Sequence, residues 1–101
     1  MIKHIVLFSL ADVAESKTKA ENALIIKEKL EALPLSIPEI RKMTIFINSE
    51  NAPAGNYDIM LDSEFDSMDD LHTYAVHPEH VKVAAFVGKV RTARAAINYE
   101  F

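Results

Sequence analysis

The chain has 101 residues, half of them apolar, with 11 lysines and arginines against 15 aspartates and glutamates and a formal charge of −4. That length suits one domain over residues 1–101, burying roughly 60–65% of its unfolded surface, and the acidic balance without a basic tract argues against nucleic acid as a partner. With no cysteine, disulfides, thiolate catalysis and thiolate metal ligation are excluded, and a reducing, cytoplasmic location is expected.

The opening Met1-Ile2-Lys3-His4-Ile5-Val6-Leu7-Phe8 is apolar, but the run is short and meets Asp12 and Glu15. It is read as a strand rather than as a secretion signal, and no stretch has the length of a membrane span. Period two divides Ile2–Leu10 into His4, Val6 and Phe8 on one side and Lys3, Ile5 and Leu7 on the other. Both sets carry large apolar groups, so neither face is expected to lie in water. After a polar turn, residues 16–33 read as a helix with Ala20, Ala23, Ile26, Leu30 and Leu33 in one stripe, ending at Pro34.

Residues 41–48 form a second strand, and the turn-rich stretch 49–56 a surface loop. Residues 57–65 form the clearest strand, with Tyr57, Ile59, Leu61 and Phe65 on one side and Asp58, Asp62 and Glu64 on the other. Ser67 is placed to cap a helix that turns Met68, Leu71 and Ala75 inward and closes near Tyr74. Pro78 then starts another helix, with Val81, Ala84 and Ala85 on one face near His80. Residues 94–101 alternate as a last strand.

The order β-α-β, β-α-α-β points to an α+β, ferredoxin-like fold: a four-stranded antiparallel sheet with helices on one face. The other face, with Ile5 and Leu7, needs a cover, and a second copy through this open face supplies it. The expected partner is therefore a homodimer.

The chemistry-bearing stretch is Tyr74-Ala75-Val76-His77-Pro78-Glu79-His80, a phenol and two imidazoles around a helix-starting proline. His4 is either a satisfied core histidine or a group facing a cavity under the helices; His80 either faces that cavity or lies in solvent at the first turn. Tyr74 is a hydrogen-bond partner or a packed helix end. His77 is read as a capping residue and His72 as surface, because the two imidazoles of the elbow lack a converging third ligand for a metal. No glycine-rich phosphate loop exists, since Gly55 and Gly88 are the only glycines, and no cofactor is expected. Arg91 and Arg94 are a weak anion-binding hint and are read as solvated.

At this elbow the sequence resembles the stress-responsive dimeric α/β-barrel family, Dabb. The likeness rests on the opening eight residues, Tyr57-Asp58, Glu64-Phe65-Asp66-Ser67 leading into Leu71, and the Tyr74 to His80 stretch. It implies that two ferredoxin-like sheets form a dimeric α/β barrel. A more distant resemblance to olivetolic acid cyclase, a plant polyketide cyclase, implies His80 as general base, Tyr74 as the group steadying an enolate, and His4 as a positioning residue. The expected ligand is small, apolar or carbonyl-containing, and the expected binding residues are Val6, Phe8, Ile26, Leu61, Ser63 and Leu71. Asn22, Ala23, Ile26 and Ser63 differ from the more aromatic and aliphatic pocket of the cyclase. Three functions are therefore weighed: a homodimeric small-molecule-binding protein, an aldol-type cyclase or lyase using His80 and Tyr74, and a purely structural dimer whose cavity collapses around Phe8, Phe65 and Phe86.

Overall fold

A computed structural model describes residues 1–101. The chain runs through β1 (Ile2–Leu10), β2 (Val13–Ala14), β3 (Lys17–Thr18), α1 (Lys19–Glu31), a 3-10 turn (Leu33–Leu35), β4 (Lys42–Ile47), β5 (Ile59–Phe65), α2 (Met68–Val76), α3 (Pro78–Val90) and β6 (Arg91–Glu100). Four strands form one antiparallel sheet in the order β4-β5-β1-β6. The alternation in β1 and β5 decides which face is covered. Val6, Phe8, Ile59, Leu61 and Phe65 are buried beneath the helices, while Ile5, Leu7 and Met60 are only half-buried on the opposite side.

This α+β, ferredoxin-like arrangement corrects the expectation of a barrel. The sheet is open: β4 and β6 stand at its two ends and pair only with β5 and β1. Four strands of ordinary twist are too few to close on themselves, closure needing about eight.

Local chemistry moves several element boundaries. The first helix begins at Lys19 rather than at residue 16, because Thr18 and Glu21 form a reciprocal capping box. The residues ahead of it form the small β2–β3 hairpin, turned by Glu15 and Ser16 with φ of 51° and 62°. Positive φ at both central residues is the geometry whose twist matches a tight hairpin. Buried Asn22 fastens that hairpin to α1 by donating from Nδ2 to the Ala14 carbonyl at 3.0 Å. In α2 the inward residues are Leu71 and Tyr74, whereas Met68 and Ala75 are exposed. In α3 they are Val83, Val87 and Val90, and Val81, Ala84 and Ala85 are exposed. The stripe read from the sequence is therefore rotated in both helices. The last strand starts at Arg91, directly after α3, rather than at residue 94.

Candidate active site

The site is assembled by the α2–α3 elbow over the middle of the sheet. Ser67 caps α2 by accepting the Asp70 N–H at 3.1 Å. His77 caps α3 through Nδ1, which accepts the Glu79 N–H at 3.1 Å, with Pro78 as the first helical residue. Two caps eleven residues from start to finish leave little slack, so Tyr74, in the last turn of one helix, and His80, in the first turn of the next, are held against each other with their rings tilted by 42°. Their ring centroids are 4.3 Å apart. The Tyr74 ring also packs on Phe65 at 5.1 Å and meets His4 edge-on at 6.4 Å.

Hydrogen bonds fix which imidazole nitrogen is free. His80 Nδ1 lies 2.9 Å from the Ala75 carbonyl. A carbonyl only accepts, so Nδ1 carries the proton and, in the neutral ring, Nε2 carries the lone pair. His4 Nδ1 is paired with Asn98 Oδ1, and the same argument leaves its Nε2 free. Burial is the main influence lowering both imidazoles below their ordinary value of 6.5, against an upward pull from Asn98 on His4 and from the Ala75 carbonyl on His80. The nearby Arg94 guanidinium adds to the lowering of both. Both rings are thus neutral at neutral pH. Burial pushes the Tyr74 phenol well above its ordinary range, with Arg94 opposing it, so the hydroxyl stays protonated. That hydroxyl is buried and has no hydrogen-bond partner in the protein.

A hollow of about 140 Å³ opens beside these groups, lined by His4, Tyr74 and His80 together with Val6, Phe8 and Leu61 from the sheet. Val83 and Val87 of α3 close one side, and Arg91 and Arg94 stand at the start of β6. Of the residues singled out in the sequence, the structure brings together His4, Tyr74, His80, Val6, Phe8 and Leu61. Ile26, Ser63 and Leu71 lie outside the lining. Ile26 and Ser63 are wholly buried, and Ser63 Oγ donates to the His4 carbonyl at 2.9 Å, steadying the strand behind the imidazole. His72 is exposed, and no three His, Cys, Asp or Glu side chains gather as metal ligands.

Asn98 and the two arginines are the participants that sequence reasoning left aside. Period two already puts Arg94, Ala96 and Asn98 on one side of the last strand. Only the pairing of His4 with Asn98 and Phe8 with Arg94 shows that this side faces the helices.

A larger groove, about 740 Å³, lies between α1 and the 49–56 loop. Of its charged groups, Lys19 and Asp58 are paired, with Lys19 Nζ 3.5 Å from Asp58 and from Asp12 outside the groove and Asp58 Oδ2 accepting the Leu10 N–H at 2.7 Å, while Glu50 stands without an ion-pair partner. The smaller hollow is lined by Tyr74, whose hydroxyl is unpartnered, and by both imidazoles, and is therefore the candidate site.

Residues 2–101 match the model of the Dabb family, the stress responsive A/B barrel domain. A dimeric protein of unknown function with a ferredoxin-like fold, from Bacteroides fragilis, is 40% identical, with a TM-score of 0.82 over 99% of this chain and 95% of that one. A dimeric ferredoxin-like protein of unknown function from Thermobifida fusca is 27% identical, with the same TM-score over 99% of this chain and 90% of that one. The hydroxynitrile lyase of Passiflora edulis shares the fold, with a TM-score of 0.76 at 17% identity over 97% of this chain and 90% of the lyase. No curated protein matches the chain. A family model that fits all but the first residue, with a 40% identical relative covering almost the whole length, makes this chain a member of the Dabb family.

Proposed function

We propose that the protein is a homodimer that binds a small molecule in the hollow bounded by His4, Tyr74 and His80. The observation that carries this reading is Tyr74, whose side chain lines the hollow and whose buried hydroxyl the protein leaves without a hydrogen-bond partner. An unmet buried polar group costs about 1–3 kcal/mol, and a ligand oxygen accepting from Tyr74 removes that cost. Of the three phenylalanines around which the cavity of a purely structural dimer is expected to collapse, Phe8 lines the hollow and Phe65 and Phe86 do not, and the space that remains disfavours that reading.

Self-association is supported by the uncovered sheet face. Register aligns Phe46, Met60, Leu7 and Ala95 in one row and Thr44, Asp62, Ile5 and Ile97 in the next. Phe46 and Ile97 are 49% and 61% exposed. The relatives from Bacteroides fragilis and Thermobifida fusca are dimeric, in keeping with a second copy on this face.

A second reading, an acid–base enzyme acting next to a carbonyl, draws on the tautomers. His80 Nε2 is a neutral base, and the protonated Tyr74 hydroxyl is a donor for a developing enolate oxygen. The likeness to olivetolic acid cyclase rests on His80, Tyr74 and His4, and the small hollow favours a substrate shorter than a long polyketide.

A thermal-shift panel of small aromatic and short-chain carbonyl compounds tests the binding reading. Binders are expected to raise the melting temperature of the parent and to lose most of that effect in Tyr74→Phe. Equal shifts in both proteins, or none in either, would remove the hollow as the binding site.

A further inference from the structure

The hollow has an electrostatic asymmetry that the carbonyl-binding reading does not use. Its lining includes two guanidinium groups and no carboxylate. Elsewhere in this acidic chain Lys3, Lys19, Lys27, Arg41, Lys42 and Lys82 have acidic partners within 4.0 Å, and the cations without one outside the hollow are Lys17, Lys29 and Lys89. Arg91 and Arg94 have none, although Asp and Glu outnumber Lys and Arg by 15 to 11. Arg91 has a second duty as the C-cap residue of α3, where a cation offsets the helix dipole. Arg94 has no such duty. It lies opposite Phe8 on the helix-facing side of the sheet, and its charge reaches His4, Tyr74 and His80. With both imidazoles neutral, these guanidinium groups are the only formal charges lining the space.

Size limits the occupant further. A hollow of about 140 Å³ is comparable with an engineered cavity of about 150 Å³ that takes up benzene. One ring or a short branched chain fits among Val6, Phe8, Leu61 and Val83. A longer ligand exceeds this volume.

We propose that the ligand is a small organic monocarboxylate, its single-ring or short-chain body in the apolar hollow, its carboxylate on Arg94 with support from Arg91, and a ligand oxygen accepting from Tyr74. This inference deepens the small-molecule reading and rests on it. Guanidinium groups recognise planar carboxylates by paired hydrogen bonds, and the absence of a competing protein carboxylate leaves both available. The arrangement also selects against cationic ligands, which would have to sit beside two guanidinium groups with nothing to balance them.

Benzoate and benzamide separate the charge from the shape, because benzamide offers Tyr74 the same carbonyl oxygen without the charge. Binding is followed by calorimetry, with the imidazole resonances of His4 and His80 reporting the location. Benzoate is expected to bind at least about tenfold more tightly than benzamide, with the advantage shrinking as salt is added. Arg94→Gln should erase that advantage, weakening benzoate at least about tenfold more than benzamide, while Arg94→Lys should retain part of it and show that the strand is still folded. Equal affinities, with both compounds moving the imidazole signals, would overturn the carboxylate assignment and leave the hollow as a binding site. Failure of both compounds to move those signals at millimolar concentration would overturn the carboxylate assignment together with the binding reading beneath it.

Discussion

Tyr74 is the residue whose physical state says most about the site. Its ring is well packed against Phe65 and His80, so the phenyl part has a structural reason to be there, whereas the unpaired hydroxyl does not. Tyr74→Phe removes the unmet donor and keeps the packing. It is expected to leave the ligand-free protein as stable or up to about 1 kcal/mol more stable in urea denaturation, while weakening ligand binding. A loss of several kcal/mol would instead mean that the hydroxyl has a structural partner. The histidines make a second prediction, set by linkage. Folding lowers the pKa of His4 and His80 from 6.5, so below that value the unfolded chain binds protons that the folded chain resists. Their contribution to stability is complete above about pH 6.5 and is lost as pH falls through the lowered folded values. Urea midpoints should therefore drop between pH 7 and pH 5, before most carboxylates titrate, and the drop should flatten in a His4→Asn, His80→Asn double variant. A parent midpoint constant across that range would contradict the neutral assignment of both rings.

Among the elements, the two helices of the elbow carry the site because their ends are specified chemically as well as by packing. The Ser67 cap holds the start of α2, and Ser67→Ala is expected to cost about 1 kcal/mol in denaturant unfolding. Because α2 places Tyr74, the same change should also broaden the site's resonances. Gly88 offers the opposite test. It lies within α3, has no special backbone conformation, and a Cβ there would meet nothing within 4 Å. Gly88→Ala is expected to stabilise by about 0.5–1 kcal/mol, because alanine gives up less backbone freedom on entering a helix. Destabilisation would show that this exposed side of α3 is covered in the protein as it exists in solution.

For the whole molecule, the open sheet leaves a half-apolar face whose ionic corner is already organised. Lys3 contacts Asp62 at 2.9 Å and Glu64 at 2.7 Å, and Lys42 approaches Asp62 at 3.3 Å. Ile97→Glu puts a charge among Ile5, Ile97 and their row neighbours without touching the buried core, since Ile97 is exposed in the single chain. Sedimentation velocity is expected to show the parent as a dimer and this variant as a folded monomer, an association weakened at least about tenfold. An unchanged dimer would place the contact elsewhere. The residue types and their local periodicity were sufficient to indicate the four strands of the main sheet, the three helices, the ferredoxin-like order and the elbow that joins Tyr74 to His80, but not the β2–β3 hairpin. Those signals act over a turn of helix or along one strand. The rotation of α3 onto Val83, Val87 and Val90, the open rather than closed sheet, and the meeting of Asn98 and Arg94 with the hollow were decided by the tertiary structure. They depend on packing and pairing between residues far apart in the chain, such as His4 and Asn98, 94 positions apart, and no local pattern sets the register of such a contact.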